Sequence, residues 1–394
     1  MTTDTTPHTN IDLFSDEILT NPYPHYAQLR AQGPVVHLDR HQMWALTHYE
    51  VIRNVLHDWE TYSSQDGTAL NDAKNAKLRG TVLASDGQEH DRLRAVLSTR
   101  LAPKALHGLR RDIETRADDL VLALAARGTF DAVEDLARTF AVSVVAELIG
   151  VPDDAVSSLL PWADATFQTF GPDNERTETA APLSGAMFAW LATLDATDFL
   201  PGSMGRAVFE AAERGEIERA SCVPLLGAYV VAGMDTTINA ISNAIFLLAT
   251  HPDQWALLRD DANLLAPTLN EVLRFDSPVQ AFTRTVRAEQ RLGEIRVRPG
   301  ERVLVLYGSG NRDAAKYPDA DRFEIRRNPL DHLSFGYGTH GCAGQGLARV
   351  ESLAVLGALR RHVEKLEVGT PQRHLNNVIR GFGRLPVTVT AAAR

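Results

Sequence analysis

Hydrophobic positions along the chain fall into three regimes. Near the start the pattern is short and alternating. Pro34-Val35-Val36-His37-Leu38 and Met43-Trp44-Ala45-Leu46 predict two strands around a turn, with short helices over 23–29 and 49–55 on either side. Residues 61–78 are polar and weakly periodic, and they read as a loop. Helical spacing then dominates, predicting helices over 90–97, 103–126, 133–148, 154–167, 178–195, 205–214 and 217–250. The segment 217–250 is long for a globular helix and apolar all round, so it is expected to be a buried central helix that ends at His251-Pro252. Helices over 252–260 and 264–275 follow.

The last regime returns to strands. Residues 293–297 and 302–306 flank Pro299-Gly300, a hairpin signal. A turn-rich loop covers 308–341, a helix covers 344–362, and a β-like tail covers 379–390. Strands gather at both ends and helices in the middle, without βαβ alternation. The expected fold is therefore mostly α with small β regions, an α+β arrangement. No repeat or linker-like break divides the chain, so 11–394 is expected to be one domain behind a disordered polar N-terminus, 1–10.

Composition narrows the class. The chain has 394 residues, 44% hydrophobic and 23% charged, which is ordinary for a large folded core. Forty Lys and Arg against 50 Asp and Glu give a net charge of −10, a poor balance for binding nucleic acid. Two cysteines, Cys222 and Cys342, make no disulfide framework. No secretory leader is visible at the N-terminus, and Asp235 interrupts the longest apolar stretch, which argues against a membrane span. The expectation is a cytoplasmic enzyme.

The strongest chemical signal is Phe335-Gly336-Tyr337-Gly338-Thr339-His340-Gly341-Cys342-Ala343-Gly344. Glycines permit a tight loop and close approach of a flat partner, and a helix start after Cys342 favours a thiolate. Without a second ligand at zinc spacing, the thiolate suggests one axial bond to a haem iron. A bare Gly-x-Gly-x-x-x-Cys would read more simply as a buried structural cysteine. The full run, continued by Leu347-Ala348-Arg349, resembles the haem-binding signature of the cytochrome P450 family. The resemblance implies haem b (iron protoporphyrin IX) with Cys342 as its proximal ligand and Phe335 beside it, under a long central helix. Cys222 carries no motif and reads as core.

Three further segments match that family. Glu271-Val272-Leu273-Arg274 is similar to its Glu-x-x-Arg motif, which alone would read as a surface pair; Arg322 is the expected third partner. Ala232-Gly233-Met234-Asp235-Thr236-Thr237 places helix-weakening residues midway along the buried helix. The resemblance implies an oxygen-binding groove in which Thr236 hydrogen-bonds dioxygen and Asp235 belongs to a proton relay. His90, Arg94, Arg284 and His332 are in family-like positions for partners of the haem carboxylates, although each alone would read as a surface cation.

Phe167-Gln168-Thr169-Phe170, Ser277-Pro278-Val279-Gln280-Ala281-Phe282 and the tail 376–382 look like a bacterial subfamily that oxidises para-substituted benzoates, including methoxybenzoates. By that similarity Val82, Phe167, Phe170, Val279 and Phe282 line a slot for a flat ring; singly, each would read as core. One departure matters. Where those relatives clamp a carboxylate with Arg and Ser, this chain has Gly227 and Ala228 at one site and Lys77 and Gly80 near the other. A carboxylate buried without partners is costly, so the sequence favours a neutral alkyl-methoxyphenol of the alkylguaiacol type. Lys77 keeps a benzoate as the alternative.

The implied reaction is monooxygenation with O-demethylation, using dioxygen and electrons from NAD(P)H. Hydroxylation without demethylation is one rival, and a non-catalytic haem protein that binds a small ligand is another. The Asp235-Thr236 pair argues against the latter. Six cations (Arg92, Arg94, Arg100, Lys104, Arg110 and Arg111) against Asp91 within 91–111 would alone read as a solvated helix face; in the fold that the resemblance implies they flank the cysteine side of the haem, which implies an acidic iron–sulfur ferredoxin as donor, itself served by an NAD(P)H-dependent ferredoxin reductase.

Overall fold

A computed structural model describes residues 6–393. The predicted strands Val35–Leu38 and Met43–Leu46 pair antiparallel, Val35 opposite Leu46, inside a six-stranded sheet. Arg302–Leu306 runs parallel to Met43–Leu46 and antiparallel to Ala281–Val286, and Tyr62–Ser63 closes the far edge.

Four expectations about secondary structure change. The N-terminus was expected to be disordered through residue 10. Residues 1–5 lie outside the described residues, but His8–Thr9 form the edge strand beside His37–Leu38. The Pro7 carbonyl accepts from His37 N–H, and the His8 ring meets Asp39 at 2.9 Å. The hairpin around Pro299-Gly300 does not form. Ile295–Val297 pairs instead with Gln290–Leu292 across Gly293, whose φ of 62° suits the tight turn. Gly300 (φ 88°) sends the chain back toward Val286, and Arg302–Leu306 joins the large sheet.

The expected loop 61–78 contains Tyr62–Ser63 and a helix, Asp72–Leu78. That helix has no apolar period to read. It is started by Asn71, whose side chain accepts from Lys74 N–H at 2.7 Å. The predicted helix over 133–148 begins as a π-helical turn, Ala132–Arg138, and becomes α-helical only at Thr139–Ile149.

The central helix is Cys222–Thr250. Its length and apolarity would suffice to cross a membrane, yet it runs through the core with buried residues on every side, among them Leu226, Val230, Met234, Ile238, Ile241 and Ile245. The helix after the cysteine loop, Gln345–His362, packs along Pro103–Arg127 and brings the loop beneath the central helix.

Glu271 and Arg274 lie on Leu265–Phe275, both wholly buried and joined by two hydrogen bonds of 2.8 Å. The third partner is not Arg322. The Arg322 side chain is 67% exposed and contributes only its backbone carbonyl, whereas the Arg327 Nε reaches Glu271 at 3.3 Å. Arg327 also donates to the carbonyls of Pro318, Asp319 and Arg322, tying the loop ahead of the cysteine to this helix.

Candidate active site

The cysteine loop is shaped by its glycines. Gly336 and Gly338 have φ of 68° and 71°, and a Cβ on Gly338 would approach the Leu56 carbonyl to 2.6 Å. Cys342 N–H donates to the Phe335 carbonyl at 2.7 Å, which folds the loop back on itself. Burial raises the Cys342 thiol above its ordinary range. The backbone N–H groups of Gly344 and Gln345 and the Arg94 guanidinium act in the opposite direction, toward the thiolate.

Between this loop and the central helix lies a cavity of about 820 Å³. Cys342, Phe335, Arg94, Arg284 and Thr236 all reach its wall, and so do the five expected ring-slot residues, Val82, Phe167, Phe170, Val279 and Phe282. The aromatic rings form a train: Phe167 to Phe170 is 6.3 Å between centroids, Phe170 to Phe282 is 5.6 Å, and Phe282 to Tyr307 is 6.4 Å.

Asp235, His90 and His332 lie behind the wall rather than on it, and each has a buried polar atom without a partner. Asp235 Oδ2 is one such atom. Burial drives this carboxyl well above its ordinary range, Asp164 adds to the effect, and Arg138 only partly opposes it. Thr236 turns its hydroxyl to the Ala232 carbonyl at 2.9 Å.

His332 accepts the Ser334 N–H at Nδ1, which leaves the proton on Nε2. That Nε2–H is buried and unpaired. Burial, with help from Arg349, pushes the ring's pKa down to about 3, so it stays neutral and a donor. His90 pairs Nδ1 with Asp91 at 3.1 Å and leaves Nε2 buried and unpaired. Arg284 is buried with a short bond to the Thr283 carbonyl. The unpaired His332 Nε2–H and the Arg94 and Arg284 guanidiniums, around a cavity floored by one cysteine sulfur, suit a flat cofactor carrying two carboxylates, and the residues present fit haem.

Four features of the site were not anticipated. Lys74 and Phe188 face the cavity, and Lys77, the expected carboxylate anchor, is exposed at its rim. Glu351, on the helix after the cysteine, is fully buried behind Thr237, which reaches its Oε2 at 3.4 Å. Burial raises the Glu351 pKa to about 8. A helical spacing from Cys342 signals Glu351. Nothing local signals the other three, whose placement depends on how distant segments pack.

The cytochrome P450 family pattern matches residues 192–387. Cytochrome p450 CYP199A2 of Rhodopseudomonas palustris is 37% identical over 392 residues, covering 98% of this chain and 95% of that protein. Cytochrome P450 monooxygenase PikC of Streptomyces venezuelae is 32% identical over 409 residues, covering 98% and 95%. The crystal structure of CalO2 superposes with a TM-score of 0.86 at 28% identity over 98% of this chain and all of that one, 100%. Cytochrome P450 CREJ, solved in complex with (4-ethylphenyl) dihydrogen phosphate, gives 0.85 at 27% identity, over 98% and 99%.

The chain therefore belongs to the cytochrome P450 family. It is a bacterial-type haem-thiolate oxidoreductase, a monooxygenase that uses haem b and dioxygen and draws electrons from redox partners.

Proposed function

We propose that this monooxygenase removes the methyl group from a small, flat methoxy-arene. The observation that carries the reading is the single cavity that joins Cys342, Thr236 and the Phe167–Phe170–Phe282 ring train. Haem held by a thiolate supplies insertion of one atom of dioxygen into a C–H bond, the other leaving as water with two electrons from NAD(P)H. Cys342 would be its ligand, and His90, His332, Arg94 and Arg284 the partners of its carboxylates. Asp235, a buried carboxyl whose pKa burial raises, would feed protons to the Thr236 hydroxyl at the cavity wall. The rings orient the aromatic substrate so that its methoxy carbon faces the groove. The resulting ArO–CH₂OH then loses formaldehyde and leaves the phenol.

Two far ends of the ring compete. The apolar wall at Gly227 and Ala228, filled by Phe188, supports an uncharged alkyl tail such as that of a 4-alkylguaiacol. A para-substituted benzoate is the second reading, and one observation favours it: the ammonium of Lys74 inside the cavity. We further infer a cytoplasmic enzyme served by an iron–sulfur ferredoxin and its NAD(P)H-dependent reductase. The test is turnover of methoxy-arenes with formaldehyde and NAD(P)H both quantified. A stoichiometric yield supports demethylation, and ring-hydroxylated product without formaldehyde would replace it. Cys342→His should also abolish the strongly red-shifted Soret band of the reduced protein under carbon monoxide; a surviving band would refute Cys342 as ligand.

A further inference from the structure

Lys74 is a lysine almost wholly removed from solvent, 7% exposed, on the first turn of Asp72–Leu78. Its place is fixed from both sides. Asn71 caps its backbone N–H and donates to the carbonyls of Thr169 at 2.9 Å and Gly171 at 2.8 Å, and Leu70 N–H donates to the Phe170 carbonyl at 2.9 Å. These bonds pin the start of the helix against the Phe170 end of the ring slot.

From there the side chain lines the cavity. Its Nζ lies 4.8 Å from the centroid of Phe170 and 6.0 Å from that of Phe188. The ammonium makes no hydrogen bond and no ion pair among the described residues, and it faces two aromatic rings. Asp173 and Glu178, two acids that also line the cavity, are exposed and do not pair with it. Burial, reinforced by Lys77, lowers its pKa to about 8, and no carboxylate counters the shift. A buried ammonium without a partner is expensive to maintain, and an occupant of the cavity that bears an opposite charge removes the expense.

The position also sets a length. Phe188 packs over Gly227, where a Cβ would come within 2.6 Å of the ring, so Lys74 and Phe188 together mark the Gly227 level of the central helix. Gly233, in the oxygen groove, is six residues further on, about 9 Å at 1.5 Å per residue. That span suits a benzene ring with a methoxy group at one end and an acceptor at the opposite one.

We propose that Lys74 determines specificity in this cavity, its ammonium holding a carboxylate that the substrate carries para to its methoxy group. This rests on the methoxy-arene reading above and decides the far end of the ring in favour of the acid. Recognition falls to one cation on an aromatic bed, without the hydroxyl partners that the vacated Gly227, Ala228 and Gly80 positions would have offered.

The test is calorimetric titration of the haem-loaded protein with 4-methoxybenzoate and with 4-methoxybenzamide, a neutral ligand of nearly the same shape. The wild-type protein should bind the carboxylate at least tenfold more tightly. Lys74→Met, which keeps the length and loses the charge, should erase that preference while binding the amide within about twofold of wild type. Lys77→Met on the rim should change neither affinity. Equal wild-type binding of the two ligands, an unchanged preference in Lys74→Met, or its loss in Lys77→Met would each overturn the role given to Lys74 and leave the methoxy-arene reading standing. A wild-type protein that binds neither ligand overturns the role given to Lys74, and one that also fails to bind a 4-alkylguaiacol overturns both. Should Lys74→Met fail to fold by its melting profile, Lys74→Gln and the wild-type comparison decide on the same criteria.

Discussion

Thr236 donates its hydroxyl proton to the carbonyl of Ala232 at 2.9 Å, one turn back along the central helix, and still faces the cavity. A hydroxyl bonded in this way loosens the helix and remains free to accept from behind. Asp235, beside it in the chain, is a buried acid whose pKa burial raises. Thr236→Ala should therefore keep substrate affinity but pass electrons to hydrogen peroxide instead of product, because protons no longer reach the oxygen in time. Asp235→Asn should instead slow turnover on the order of a hundredfold, the low end of general acid–base effects. Peroxide and product measured per NADH distinguish the two, and unchanged coupling in Thr236→Ala would remove it from the relay.

Arg327 and Arg322 offer a sharper contrast. Removing the Arg327 guanidinium leaves the wholly buried Glu271 with one cation instead of two and removes a donor from the Pro318, Asp319 and Arg322 carbonyls. Arg327→Ala is expected to cost about 2–4 kcal/mol of stability and to shorten haem retention. Arg322→Ala, at a side chain 67% exposed, should stay within about 0.5 kcal/mol. Urea unfolding and haem loss to a scavenger protein would measure both effects, and equal costs would restore Arg322 as the partner.

These cases show what the sequence could and could not reveal. Cys342, the Gly336 and Gly338 turns and Asp235-Thr236 are legible because their chemistry lies in consecutive residues. The central helix is legible because its apolar residues continue on every side, past the interruption at Asp235. Arg327 was missed because the meander has no period, so five residues of chain separate two equally plausible arginines. Lys74 was missed because its short helix, Asp72–Leu78, carries no apolar stripe and is held by the Asn71 cap and by bonds to Thr169 and Gly171, far along the chain.

Glu351 predicts a pH effect on stability. Its folded pKa is raised to about 8 by burial, against 4.5 ordinarily. Between these values the folded chain holds a proton that the unfolded chain releases. Stability from this group is thus complete below about pH 4.5 and is lost as pH rises through about 8, at up to roughly 1.4 kcal/mol per pH unit. Glu351→Gln should flatten that decline, so its stability relative to wild type should be higher at pH 8 than at pH 5 in parallel urea titrations. A difference that does not move with pH would mean that Glu351 is ionised in the fold.

The proposed ferredoxin docks by charge, and the fold trims that charge. Of the six cations in 91–111, Arg94 turns inward to the Gly341 carbonyl, Arg92 pairs with Glu89 at 2.7 Å and Arg110 with Glu114 at 3.7 Å. Arg100, Lys104 and Arg111 remain without an ion pair among the described residues, and Pro103–Arg127 lies along the helix after the cysteine. Electron transfer from an acidic ferredoxin should slow as salt rises past about 0.1 M, where the screening length falls to about 10 Å. Reversing Lys104 and Arg111 to Glu should cut the low-salt rate on the order of tenfold and remove the salt dependence. A wild-type rate indifferent to salt would move the docking surface elsewhere.

Phe167 bears on the fate of the electrons more than on affinity. Its ring is 4% exposed and stands 6.3 Å from Phe170, on the wall of the slot proposed for the substrate ring. Phe167→Ala removes that wall but leaves Phe170, Phe282 and Lys74 in place, so most of the buried contact with a bound ring survives. The methoxy carbon loses its fixed approach, and a displacement of about 1 Å can cost on the order of a hundredfold in a reaction that depends on orientation. The variant should bind a methoxy-arene within about fivefold of wild type, yet return several-fold less formaldehyde per NADH, the missing electrons appearing as peroxide and water. The protein itself should lose about 3–5 kcal/mol of stability from the vacated volume, so binding and yield are to be compared at a temperature where both forms are folded. If affinity falls in step with yield, Phe167 supplies binding energy alone and the orienting wall must be sought at Phe282.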